Sequence, residues 1–125
     1  LLVPVAHGAE KLGLVDLMLR LKDITERAVG KKLTPADQEG STFTISNLGM
    51  YGVESFTSII NQPNSAILSI AGTKEMPVVR NGEVVIRPIM KMSLTSDHRV
   101  INGLGAAKFM QELKATLESP LPLLV

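Results

Sequence analysis

Three features of the sequence predict an α+β fold. Apolar residues recur at helical spacing near both ends of the chain, alternating and β-branched stretches lie between them, and an Asn-Gly pair splits the longest of those stretches. The predicted order is strand, helix, strand, hairpin, helix, with no internal repeat or low-complexity tract, and that order favours layered α+β packing.

Residues 1–6 read as a buried strand, and Gly8 and Gly13 bracket a polar connection. A helix then runs to about Val29. Leu14, Leu17, Met18, Leu21, Ile24 and Ala28 share one face, and Asp16, Arg20, Lys22, Asp23, Glu26 and Arg27 largely occupy the other. Gly30 ends this helix, and Thr34-Pro35-Ala36-Asp37 with Gly40 forms a turn. Thr42-Phe43-Thr44-Ile45-Ser46 alternates polar and apolar residues as a half-buried strand does. Asn47, Gly49 and Gly52 break it into an irregular loop, leaving Ser46 at a strand end.

Residues 64–79 and 83–94 read as two long antiparallel strands. Asn81-Gly82 suits the two positive φ angles of a type I′ turn between them. Pro77 and Pro88 cannot donate ladder hydrogen bonds and mark edges, bulges or strand ends. A last helix covers residues 103–119, with Asn102 where an N-cap belongs and Pro120 as its stop. The tail Leu121-Pro122-Leu123-Leu124-Val125 is too apolar to be left in water and is expected to dock.

A chain of 125 residues makes one domain or a large piece of one. With 45% hydrophobic and 20% charged residues it has a globular composition. A net charge of +1 gives no field to attract nucleic acid or an anionic membrane, and no apolar run approaches the ~20 residues of a membrane span. The absence of cysteine excludes disulfides, thiolate metal sites and a cysteine nucleophile, so any thiol chemistry must come from a substrate. No histidine and carboxylate cluster has metal-ligand spacing, and the glycines form no nucleotide-binding pattern. The opening Leu1-Leu2-Val3-Pro4-Val5 carries no initiator Met and no leader, and reads as a chain cut from something longer.

Ser96-Asp97-His98-Arg99-Val100-Ile101-Asn102-Gly103 puts a histidine between a strand and a helix start, where an imidazole can be held firmly and still be reached. Local chemistry alone leaves both a structural and a catalytic histidine open, and Asn102 alone is most simply a cap. His7 has no motif around it and reads as a loop or surface residue.

Residues 97–103 resemble the D-H-R-x-x-[DN]-G signature of the dihydrolipoyl acyltransferases, the core enzymes of the 2-oxo-acid dehydrogenase complexes, which are related in fold to chloramphenicol acetyltransferase. Thr42-Phe43-Thr44-Ile45-Ser46-Asn47-Leu48-Gly49-Met50-Tyr51-Gly52 resembles the T-F-T-I-S-N-x-G-x-x-G segment of that family. Ile59-Ile60-Asn61-Gln62-Pro63-Asn64-Ser65-Ala66-Ile67-Leu68 resembles its I-I-N-x-P-x-x-x-I-L segment. Three matches in order, with Val3-Pro4-Val5 and Lys32-Leu33-Thr34-Pro35 also in place, extend the resemblance over essentially the whole chain.

The resemblance implies a chloramphenicol-acetyltransferase-like two-layer α+β sandwich, of which residues 1–125 are the C-terminal part of the catalytic domain, truncated at the N-terminal side. It implies acyl transfer, with acetyl as the group, between a dihydrolipoyl group and coenzyme A. Coenzyme A is then a substrate, the lipoyl group rides on a domain absent from this chain, and no metal takes part. His98 matches the base that takes the thiol proton, and imidazole suits that role because it ordinarily titrates near neutral pH. Ser46 matches the hydroxyl donor to the tetrahedral oxyanion. Asn102 matches a third site position where the family most often has aspartate; asparagine caps a helix equally well but brings no negative charge.

The implied partners are two further copies in a homotrimer, whose serine and histidine reach one site from neighbouring subunits, and a cubic or dodecahedral core built from such trimers through apolar tails. The decarboxylase and dihydrolipoamide dehydrogenase components of the complex would join that core, in a bacterial cytoplasm or a mitochondrial matrix. The alternative is a non-catalytic, core-forming scaffold or an inactive fragment.

Overall fold

The computed structural model describes residues 1–124, apart from the side chains of Pro122 and Leu124. By backbone proximity the chain divides into two units, Leu1–Thr42 with Ala107–Val125, and Phe43–Ala106.

In the first unit the amphipathic pattern becomes helix α1, Leu14–Val29, capped by Gly13 and ended at Gly30. Ile24 is buried, whereas Leu14, Met18 and Leu21 of the same apolar stripe stay exposed among the described residues. After α1, Thr34 and Asp37 form a reciprocal capping box around a single 3-10 turn, Pro35–Asp37. Asp37 also accepts from Arg27 of α1, so one carboxylate ties the turn to the helix. His7 bonds through Nε2 to the Ala36 carbonyl at 2.9 Å, which makes it a fastening of this turn, in line with its expected loop role.

Residues 1–6 form no strand, which corrects the first element of the predicted order. Strand residues need a ladder to satisfy their backbone groups. Here Val5 N–H donates to the Asp37 carbonyl at 2.7 Å, and Leu1 and Leu2 are exposed.

The second unit is built on a three-stranded sheet in the order β1-β2-β3: β1 is Thr44–Asn47, β2 Ala66–Arg80 and β3 Glu83–Ser96. β1 runs parallel to β2, and β2 pairs antiparallel with β3. Between the two long strands Asn81 and Gly82 take φ values of 51° and 80°, the type I′ geometry their sequence predicts. From Ala66 to Leu68, and again at Ser69 and Ala71, β2 is buried, since it is flanked on both sides there. The β1 pairing ends at Ile70, and the ladder with β3 is irregular between Ile70 and Thr73. Beyond that point β2 and β3 continue as an exposed two-stranded ribbon that holds Pro77 and Pro88.

Helix α2, Gly103–Glu118, begins in the second unit and ends in the first. A short 3-10 turn, Leu121–Leu124, follows Pro120. Leu121 and Leu123 are exposed, so the expected docking of the tail is not met by these two residues within the chain; Val125 lies outside the described residues.

Candidate functional site

Ser46 occupies the third position of β1, and its face of the strand is the inward one. Thr44 is buried and Ser46 half-buried, whereas Ile45 is 61% exposed and Phe43 also lies on the outer face. The alternation of residues 42–46 reads equally well with either face inward, and the structure turns the polar face in. Cross-strand rows explain what that face meets. Thr44 is in register with Ile67 and Thr95, and Ser46 with Ser69 and Ser93, so a row of three serines crosses the sheet. Register partners project from the same side of a sheet.

After Ser46 the chain turns sharply. Asn47 Oδ1 accepts from the Gly49 N–H at 2.8 Å, a 3-10 turn covers Gly49–Tyr51, and Gly52 closes it at φ 70°. Glycine is required at position 49 by proximity: a Cβ there would sit 3.0 Å from the Ala71 carbonyl oxygen. Gly72 faces the same constraint from the other side, with the Gly49 carbonyl 3.1 Å from its would-be Cβ. Two glycines thus let the loop after Ser46 lie directly on β2. The pairing of Gly49 with Gly72 is not legible from either motif.

His98 follows the end of β3 in a tight turn. Val100 and Ile101 N–H groups both donate to the Asp97 carbonyl, at 3.0 and 2.9 Å, and Asp97 N–H donates to the Ser65 carbonyl at 2.8 Å. The Asp97 carboxylate receives the Arg99 backbone N–H and the Arg99 guanidinium in a two-pronged contact, at 2.9, 3.0 and 2.7 Å. Arg99 beside it holds the Asp97 carboxyl at about 2, well below its ordinary 3.8. Asp97 is therefore the clamp of the turn and is engaged by Arg99 instead of by His98. The imidazole between them is exposed and has no hydrogen bond among the described residues.

Asn102 caps α2: its Oδ1 accepts from the Gly105 N–H at 2.7 Å, and its carbonyl accepts from Ala106 at 3.1 Å. The predicted cap is thus observed four residues after His98. Clamp at one end and cap at the other leave His98 little backbone freedom.

The structure does not bring Ser46 and His98 together within one chain. β1 and β3 lie on opposite sides of β2, and Ser46 is three rows in from Ser96. Strand spacing and rise set Ser46 and the end of β3 about 14 Å apart. Ser46, like His98, has no side-chain hydrogen bond among the described residues. Both groups are thus free to meet other partners. No group of three or more potential metal-ligating residues occurs among the described residues.

A mixed sheet with a half-buried strand-end serine, a histidine on a clamped turn and a capped helix after it is the arrangement that known proteins share with this chain. The whole chain, residues 1–125, matches the family described as 2-oxoacid dehydrogenases acyltransferase (catalytic domain), and the protein belongs to that family. The dihydrolipoyllysine-residue acetyltransferase component of the pyruvate dehydrogenase complex from Rickettsia prowazekii is 37% identical over 125 residues, covering 100% of this chain and 31% of the relative. The mitochondrial succinyltransferase component of the 2-oxoglutarate dehydrogenase complex from Saccharomyces cerevisiae is 41% identical, with 27% of its length covered. Among solved structures, a dihydrolipoamide acetyltransferase from Azotobacter vinelandii superposes with a TM-score of 0.93 at 35% identity. That structure addresses the role of a serine, a histidine and an asparagine in the catalytic mechanism. The cubic core of a pyruvate dehydrogenase multienzyme complex superposes equally well at 36% identity. In both, 99% of this chain is covered, and the chain spans about half, 51%, of the solved chain.

Proposed function

We propose that this chain is the C-terminal part of an acyltransferase catalytic domain that moves an acetyl group between a dihydrolipoyl group and coenzyme A. The observation that carries the reading is a spacing. The serine, histidine and asparagine of the Azotobacter enzyme are separated by 52 and then 4 residues, and Ser46, His98 and Asn102 are separated by the same numbers. Acetyl is favoured by Ile45-Ser46-Asn47-Leu48-Gly49-Met50, which resembles the pyruvate-complex branch. Acetyl- and succinyltransferase relatives are similarly identical to this chain, so the choice rests on that segment.

His98 accepts the proton of the incoming thiol as its sulfur attacks the thioester carbonyl. The carbonyl oxygen gains negative charge, and the Ser46 hydroxyl donates to it. Collapse of the tetrahedral intermediate breaks the original carbon–sulfur bond, and the departing thiolate takes the proton back from His98. Asn102 is a positioning residue: its side-chain oxygen is engaged at the start of α2, where it steadies the turn that carries His98. Because Ser46 and His98 lie on opposite edges of one sheet, the reaction needs two copies of the chain, the serine from one and the histidine from the next. A homotrimer, further assembled into a cubic or dodecahedral core that the decarboxylase and dihydrolipoamide dehydrogenase components join, satisfies this need.

The test is acetyl transfer from acetyl-CoA to dihydrolipoamide by the intact acyltransferase, run beside succinyl-CoA. Ser46→Ala is expected to lower kcat about a hundredfold with little change in KM, as loss of one oxyanion donor does. Faster transfer from succinyl-CoA would overturn the acyl assignment, and absence of transfer with either would favour a purely structural core.

A further inference from the structure

The Asp97–Arg99 clamp and the Asn102 cap lie within the turn and helix start that carry His98, so they fix the shape of that turn from inside. Its tie to the neighbouring segment is a different bond. The Asp97 N–H donates to the Ser65 carbonyl at 2.8 Å, one step beyond the Ala66–Ser96 pairing that ends the ladder. His98 is the next residue, so the direction of the Ser65 carbonyl bears on where the turn begins.

That carbonyl follows directly on Asn64. The Asn64 backbone N–H and its side-chain Nδ2 both donate to the Asn61 carbonyl, at 2.9 and 2.6 Å, and close residues 61–64 into a turn. A carbonyl oxygen has two lone pairs, and two donors from one residue match that capacity. Asn64 is only 6% exposed, so water cannot readily replace the side-chain bond when it is lost. Asn64 also fills one of the unspecified positions of the I-I-N-x-P-x-x-x-I-L segment, so the motif alone gives it no role.

We propose that Asn64 is a positioning residue for His98: its two bonds to Asn61 hold Ser65, the Ser65 carbonyl holds the Asp97 N–H, and Asp97 begins the turn in which the imidazole sits. The inference rests on the assignment of His98 as the base. A base must meet the thiol at hydrogen-bond distance, and small displacements of a positioned group are costly in rate. Without the side-chain bond the 61–64 turn is held by one bond in place of two, and the arrangement with the imidazole in reach is populated less of the time. One neutral hydrogen bond biases such a population by roughly three- to tenfold. The loss falls on kcat and leaves KM, because the turn serves proton transfer and not the binding of either thiol.

Asn64→Ala and Asn64→Ser in the intact acyltransferase test this. Asn64→Ala is expected to lower kcat roughly three- to tenfold, with KM for acetyl-CoA and dihydrolipoamide unchanged. Asn64→Ser keeps a donor that can reach back to the carbonyl three residues earlier, and is expected to restore most of kcat. An unchanged kcat in Asn64→Ala, or an Asn64→Ser no better than Asn64→Ala, would overturn the proposal and make Asn64 a packing residue. Amide hydrogen exchange on the unmutated protein decides the matter if Asn64→Ala does not assemble. The Asn64 and Asp97 N–H groups should be protected and exchange together, as parts of one held unit, and free exchange at Asp97 would overturn the tie. Near-normal turnover in His98→Ala would instead overturn the base assignment on which the inference rests.

Discussion

Arg99 grips Asp97 two positions back, through its backbone N–H and the Nε and Nη2 of its guanidinium, with His98 between them. The Arg99 side chain is 87% exposed, so water screens the pair and its worth lies in the shape of the turn more than in stability. The Asp97 carboxyl is lowered from 3.8 to about 2, and a lowered carboxyl stabilises the folded turn above its unfolded value and loses that contribution as pH falls. The clamp is therefore expected to be complete above about pH 4 and to open between 3.8 and about 2. Carboxyl chemical shifts in an acid titration should give a midpoint near 2 that moves toward 3.8 in Arg99→Ala.

His98→Ala is expected to abolish acetyl transfer while leaving the fold intact, because the exposed imidazole has no hydrogen bond among the described residues to lose. Steady-state rates with a circular dichroism melt check both halves of this expectation. Near-normal turnover would remove His98 from the mechanism.

Complementation follows from the separation of Ser46 and His98. Subunits carrying Ser46→Ala and subunits carrying His98→Ala, each inactive, should regain about a quarter of the wild-type sites when refolded together at equal ratio, since one interface in four unites two intact residues. Activity that stays at the level of the separate variants would mean that serine and histidine come from one chain.

Asn102→Ala should cost about 1 kcal/mol through the lost cap, and Asn102→Asp should keep the cap. Denaturant melts measure the first effect. If steadying His98 is the role of Asn102, Asn102→Asp keeps most of kcat and Asn102→Ala does not.

Gly49→Ala places a methyl group 3.0 Å from the Ala71 carbonyl and 3.1 Å from Asn47 Oδ1, so the loop after Ser46 must lift from β2. The expected cost is about 1–3 kcal/mol of stability with a fall in kcat. Gly13→Ala, where nothing lies within 4 Å of the added atom, is the control that should keep kcat.

Most of the second unit was legible in the sequence, and the reasons are local. Asn81-Gly82 defines its turn because few other pairs accept two positive φ angles, and Asn102 marks a helix start because its side chain replaces a missing backbone acceptor. Alternation at residues 42–46 showed that β1 has two faces but not which one is inward, since that depends on the residues of β2 and β3 standing alongside. For residues 1–6 an apolar run suggested a strand, yet a strand is a property of two segments and the run has no ladder partner in this chain. The Asp97–Arg99 clamp depends on the strand ending at Ser96, which lets the two side chains turn toward each other. The nearness of Ser69 to Ser46 depends on register alone.

The ribbon that β2 and β3 form beyond Thr73 bears on how a freshly made chain stays apart from others. Past Ile70 the outer side of β2 has no β1 to pair with, and an open strand edge invites stray chains to add to it. Pro77 and Pro88 each remove a donor from the ribbon, and exposed Lys74, Arg80, Glu83 and Arg87 put charge along it. A freshly made chain therefore carries its own protection against sticking to other chains along this edge. Replacing Pro77 and Pro88 with Val should leave the hairpin folded but make freshly synthesised chains aggregate, which a solubility measurement before assembly would register.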